Sequence, residues 1–264
     1  MLYIAGEWLD PKLVVFDKDG TLIAFEDMWR AWFERILAEI ARKVELDEAT
    51  RLGLAGTLGY DAATGVWDPV GPLTIASTRE IGVLIAGQLY RCRGIPWDRA
   101  ALIVDRAERA ARASLPVEEL AKPLGDVRGL LQRLADSGVT LALATTDDRA
   151  PTERALRALG LDGFFAATIC GDDGVPLKPA PDMALEICRR LNIAPADAIM
   201  VGDTLADISM AREAGLGRAI GVASGALTAG QLAPHADVVL PDIHAIRVIY
   251  VNSTHSLEAD PTHA

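Results

Sequence analysis

Apolar positions fall into two regimes along the chain. Short aliphatic runs recur at 13–16 (LVVF), 139–145 (VTLALAT), 167–170 (ATIC), 198–202 (AIMVG), 219–222 (AIGV) and 237–240 (DVVL). Uninterrupted runs of this length are the pattern of strands buried on both faces. From residue 126 onward they alternate with stretches of helical period, VRGLLQRLADSG, APTERALRALG, PDMALEICRRLN and LADISMAREAG. Several of these close on Gly or Asn, as helix C-caps do. Strand and helix in alternation predict an α/β fold built on a parallel sheet with right-handed crossovers.

Between 24 and 125 the second regime takes over, because no strand-like run follows the first one. Phe33, Ile36, Leu37, Ile40, Ala41 and Val44 recur at the spacing of one helix face, with Glu34, Arg35 and Glu39 elsewhere around the wheel. Two further helices are predicted in TIASTREIGVLIAGQLYRCRG and WDRAALIVDRAERAARASL, and the Gly-, Pro- and Asp-rich stretch 56–73 reads as a loop. The segment is therefore predicted to be a helical insertion at 24–125 within a core made of 1–23 and 126–250. The polar stretch 251–264 has no pattern and is expected to fray.

Composition narrows the partners. At 264 residues, half of them hydrophobic and 24% charged, the chain has the profile of a folded globular protein. A net charge of -11 and a pI near 4.8 oppose binding to nucleic acid or to an anionic membrane surface. Cys92, Cys170 and Cys188 have no CxxC spacing, so neither a disulfide framework nor a zinc cluster is indicated. The first residues are too few and too acidic for a signal sequence, and no apolar run is long enough to span a bilayer. A cytoplasmic protein is expected.

Candidate chemistry gathers where the first strand ends, in LVVFDKDGTLI. Asp17 falls at the carboxyl end of that strand, where open α/β sheets place their ligands. Residues two apart on an extended segment point the same way, so Asp17 and Asp19 can face one pocket. Two carboxylates there repel unless a cation or a shared proton compensates, and a magnesium ion is the simplest compensation. Gly20 permits a positive φ in the tight loop, and Thr21 can donate a hydrogen bond locally or to an anion. An Asx turn that merely caps the strand is the bland alternative. The four histidines, His235, His244, His255 and His263, all follow these residues, so a Ser-His-Asp mechanism or a histidine zinc site has little support.

DxDGT after an apolar strand resembles the first motif of the haloacid dehalogenase superfamily. Its other motifs follow in order: Thr145, with Thr146 beside it, in LALATTDD; Lys178 in LKPAPDM; Asp203 and Asp207 in VGDTLAD. The resemblance, over residues 13 to 222, implies a Rossmann-like core with an inserted helical cap and most resembles the phosphoglycolate phosphatase-like subclass. One departure is that Ala24 and Phe25 stand where Asp and Ser are usual. The resemblance implies an aspartate-nucleophile phosphatase acting on a small phosphorylated metabolite, phosphoglycolate or a similar monoester. Asp17 would then be the nucleophile and Asp19 the acid and base. Thr145, Thr146, Lys178, Gly20 and Thr21 would hold the phosphate, with Asp207 in support. Mg²⁺ would be held by Asp17, Asp203 and the backbone carbonyl of Asp19.

Those roles make physical sense together. Uncatalysed hydrolysis of a phosphate monoester is slow enough that an enzyme is asked for a rate factor approaching ~10²¹, so charge neutralisation must dominate. A covalent intermediate on Asp17 splits one hard displacement into two easier ones. Trp29 and Trp32 are candidates for a substrate wall and Arg79 for a substrate carboxylate, against plain helix-core and surface roles. Asp172 and Asp173 in GDDG read as a turn and stay outside the site. A phosphomutase of the same fold and a non-catalytic phosphometabolite-binding or interaction protein are the alternatives.

Overall fold

The computed structural model describes residues 1–249. The six apolar runs form one parallel sheet: β1 (Leu13–Phe16), β2 (Thr140–Ala144), β3 (Ala167–Ile169), β4 (Ala198–Gly202), β5 (Arg218–Val222) and β6 (Val238–Leu240). Their order across the sheet is β6-β5-β4-β1-β2-β3. All residues of β1 and β4 are buried, which is why these runs are continuous rather than alternating. Successive side chains go to opposite faces. Val14 and Phe16 join the apolar layer of Leu141, Leu143, Ile199 and Val201, while Leu13 and Val15 join that of Ala142, Ala144, Ala198 and Met200.

Helices α1 (Glu26–Ala41), α2 (Glu48–Thr57), α3 (Thr78–Arg93) and α4 (Trp97–Ser114) lie between β1 and β2, with α4 packed on both α1 and α3. The remaining long helices are α5 (Val127–Asp136), α6 (Arg149–Ala158), α7 (Asp182–Leu191) and α8 (Leu205–Glu213). Helices α5 and α6 cover one face of the sheet and α7 and α8 the other. The chain leaves for α1 and returns from α4 along neighbouring extended segments. Ala24 N–H donates to Lys122 O (2.9 Å), and Leu124 N–H donates to Leu22 O (2.9 Å).

The structure extends and corrects the helical regime. Helix α1 begins at Glu26, which adds Met28 and Trp32 to its buried face and leaves Val44 beyond its end. Helix α3 starts at Thr78 rather than Thr74, because Ser77 and Glu80 form a capping box there, and Pro72–Ile75 makes a separate helical turn. Helix α2 has no counterpart in the sequence reading. The loop at 56–73 contains a two-residue antiparallel pairing of Tyr60–Asp61 with Val66–Trp67. A further unpredicted element is the hairpin of Leu2–Ile4 and Glu7–Leu9, which also pairs with Arg247–Val248. Its two-residue turn places Ala5 and Gly6 at positive φ, 48° and 94°, as tight hairpins require.

Among the described residues no helix is long and apolar enough to cross a membrane. The three cysteines are free, Cys92 exposed and Cys170 and Cys188 buried. The stretch expected to fray, with His255 and His263 in it, lies outside the described residues.

Candidate active site

In this strand order the chain turns from β1 to β2 on one side and, after β3, crosses back to β4 on the other side of β1. The carboxyl ends of β1, β2 and β4 therefore flank the crevice where an open sheet reverses direction. Asp17 follows β1, Thr145 follows β2 and Asp203 follows β4. The register fixes the first of these, since the Asp17 N–H donates to Val201 O at 2.9 Å.

Lys178 arrives from the segment between β3 and α7. Its ammonium donates to Asp17 Oδ1 (2.6 Å) and Asp207 Oδ1 (2.5 Å), and all three side chains are buried. Asp207 also closes the capping box of α8, its Oδ2 accepting from the Thr204 N–H (3.1 Å) and hydroxyl (2.6 Å). The helix-capping and site roles of Asp207 are thus held by one carboxylate, one oxygen each. Asp203 accepts from the Ala226 N–H (2.7 Å) and the Thr21 hydroxyl (3.3 Å). Oxygens of Asp17, Asp203 and Asp207 lie within 4.8 Å of one another.

Three buried carboxylates with one lysine leave excess negative charge in a poorly solvated place. Burial raises the Asp17 carboxyl to about 7, against the lowering pull of Lys178. Burial, with Asp17 beside it, pushes Asp203 well above the usual carboxylate range. Burial alone would lower the Lys178 ammonium, but Asp17 and Asp207 outweigh it and hold it above its ordinary value. A hard divalent cation fits this all-oxygen set, because it would neutralise the excess without adding a hydrogen-bond donor.

The other predicted residues divide. Asp19, Thr145 and Thr146 line the small cavity over Asp17 and Lys178, which Phe25, Trp29 and residues 73–76 roof. Thr145 Oγ1 accepts from the Asp147 N–H (3.2 Å), which leaves the hydroxyl hydrogen for another acceptor. Thr21 and Gly20 do not line that cavity. Thr21 is fully buried with its hydroxyl turned to Asp203, and Gly20, at φ 81°, lets the loop pass where a Cβ would run into Asp203. Arg79 is exposed and lines an outer groove between α3 and α4 instead. Trp32 is both core and wall, 3% exposed yet bordering a second cavity.

The sequence reading missed Lys18 and Asp147. Lys18 has no exposed surface and lies between Asp19 (2.8 Å) and Asp147 (2.8 Å). Burial raises the Asp19 carboxylate above its usual range, against the lowering pull of Lys18. Next in line, Asp148 accepts from the Thr78 hydroxyl (3.1 Å) and pairs with Arg112, tying α3 and α4 to the loop after β2. The signal available in sequence was the doubled acid of TTDD following Thr145.

Residues 11–215 match the haloacid dehalogenase-like hydrolase family. The chain belongs to this family. A phosphoglycolate phosphatase of Nitrosospira multiformis is 38% identical over 108 residues, 41% of this chain and 47% of that one. The validoxylamine A 7'-phosphate phosphatase of Streptomyces hygroscopicus subsp. limoneus is 29% identical over 236 residues, 89% of this chain and 96% of that one. This haloacid dehalogenase-like chain spans about half the length of the first curated relatives it matches. Among solved structures, a predicted phosphoglycolate phosphatase from Haemophilus somnus superposes with a TM-score of 0.69 at 19% identity, over 89% of this chain and 96% of that one. At that identity the likeness is one of fold.

Proposed function

We propose that the protein is a Mg²⁺-dependent phosphatase that hydrolyses a small phosphomonoester through an aspartyl-phosphate on Asp17. The observation that carries this is the buried Lys178 ammonium bridging Asp17 and Asp207, with Asp203 beside them and Asp19 on the same cavity wall. Relatives named as phosphatases agree with it, including one that matches nearly the whole chain.

Asp17 Oδ attacks phosphorus in line, forming an O–P bond as the ester P–O bond breaks. Asp19 gives its proton to the departing alkoxide, and then takes one from the water that hydrolyses the acyl phosphate, releasing inorganic phosphate and restoring Asp17. Lys178 and the Thr145 hydroxyl hold phosphoryl oxygens, while Asp207 fixes the lysine. Asp17, Asp203 and the Asp19 carbonyl would hold Mg²⁺, whose positive charge would let an anionic nucleophile meet an anionic phosphate. The helical block 24–125 acts as a cap that closes this chemistry off from bulk water.

Rapid-quench trapping with labelled substrate tests the roles. Asp17→Asn is expected to give no turnover and no phosphoenzyme. Asp19→Asn is expected to lose about 10² to 10⁴ in rate on alkyl phosphates and less on aryl phosphates, whose leaving oxygen needs little protonation, so that phosphoenzyme accumulates. Phosphoenzyme in Asp17→Asn, or equal losses on both ester types in Asp19→Asn, would overturn the assignments. Full activity in EDTA would remove the metal from the scheme.

A further inference from the structure

A second cavity, of about 360 Å³, lies beside the catalytic one, and Trp29 borders both. It opens between α1 and the loop after β2, and its volume is in the range of about 300–1,000 Å³ that holds ring-sized ligands. Met28, Trp29 and Trp32 make an apolar wall, the two indoles meeting edge to face at 5.2 Å. Opposite them stand three carboxylates, Asp147, Asp148 and Asp172.

The charges on this wall discriminate. Of the two guanidiniums that reach the cavity, Arg112 donates to Glu108 (2.7 Å) and pairs with Asp148. Arg154 makes a two-pronged contact with Glu118 (2.9 Å each) and donates to Leu115 O (3.0 Å). Lys18, the partner of Asp147 on the cavity wall, is shared by Asp19 and Asp147. With Lys18 and Arg112 each shared by two carboxylates, each cluster keeps one excess negative charge, and a substrate carboxylate here would meet that excess, with Asp172 besides, at a cost in desolvation and repulsion. A neutral hydroxylated ring meets no such barrier. Its hydroxyls can donate to Asp172, which is exposed and receives the Arg149 N–H on one oxygen, and its C–H face can lie against an electron-rich indole face.

Resting on the phosphatase proposal, we infer that the leaving group is an uncharged, polyhydroxylated ring of sugar or cyclitol size, and that two-carbon acid phosphates such as phosphoglycolate are poor substrates. The test is kcat/KM for the full chain with Mg²⁺ on a panel of hexose and cyclitol monophosphates, on phosphoglycolate, and on p-nitrophenyl phosphate. The best ring phosphate is expected to exceed phosphoglycolate by roughly tenfold or more, the equivalent of one misplaced charge or one lost good contact. Asp172→Asn keeps the acceptor for Arg149 and removes one charge, so the phosphoglycolate-to-ring ratio should rise roughly threefold or more. Ala113→Phe, at an exposed helix position that borders the cavity, should lower turnover of the ring phosphate more than that of phosphoglycolate. Phosphoglycolate equal to or better than every ring phosphate, or ratios unmoved in both variants, would overturn the inference while hydrolysis of the aryl ester upheld the phosphatase. No hydrolysis of any ester would bring both down.

Discussion

Lys18 sits between two aspartates in sequence, where a lysine usually reads as a solvated charge, yet it has no exposed surface. The reason is a partner 129 residues away: Asp147 draws the ammonium across from the loop after β1 to the loop after β2. Burial alone would lower this ammonium, and Asp147 and Asp19 reverse that and hold it raised. Lys18→Met would leave the buried Asp147 and the half-buried Asp19 without their cation, so a loss of about 3–5 kcal/mol is expected from the midpoint of chemical denaturation. A loss under about 1 kcal/mol would mean that water replaces the ammonium readily and that the site is more open than its geometry indicates. Asp17 and Asp203 were legible because each follows a strongly apolar run, and Lys178 only through its place in the KPAPD stretch that the family resemblance singles out. Lys18 and Asp147 were not, since long-range pairing leaves no local pattern.

At the scale of elements, Asp148 joins two helices of the insertion to the sheet-side loop through Thr78 and Arg112. Asp148 precedes α6, but its side chain makes no capping bond there, so removing it does not uncap that helix. Arg112 would keep Glu108. Asp148→Ala is therefore expected to speed amide hydrogen exchange at the start of α3 and the end of α4 while leaving β1 and β4 protected. Exchange that quickens uniformly would show a general loss of stability instead of a released contact. The sheet strands were readable as short uninterrupted apolar runs, and α4 to α8 by apolar spacing that is regular over several turns. Helix α2 was not: it buries only Thr50, Leu54 and Ala55, carries Gly53 and Gly56, and owes its start to Asp47 accepting from the Thr50 N–H at 2.8 Å. The hairpin at 2–9 escaped because its second strand, Glu7–Leu9, is largely exposed and forms no continuous apolar run.

For the whole molecule the carboxylate cluster is expected to make stability depend on pH and on metal together. Without metal, Asp17, at about 7, and Asp203, also raised, hold protons more tightly folded than unfolded, where a carboxyl titrates near about 3.9. Their contribution is thus fully present below about pH 4 and is lost as pH rises through about 7. Mg²⁺ that binds only the folded, ionised cluster should restore it, by about 2.7 kcal/mol at a hundredfold excess over Kd, or roughly 5–10 °C in Tm for a chain of this size. At pH 4.5 protons compete for the same oxygens, so the increment should be much smaller. Asp203→Asn supplies the control. The amide oxygen can still accept from Ala226 and one charge is gone, so the metal-free variant should be more stable than the parent at pH 7.5 by about 0.5–2 kcal/mol, melt correspondingly higher, and respond less to Mg²⁺. Differential scanning calorimetry of both proteins, with Mg²⁺ and with EDTA at the two pH values, makes the comparison. An increment that is absent at pH 7.5, or that is the same at both pH values and in the variant, would place any bound metal away from these carboxylates.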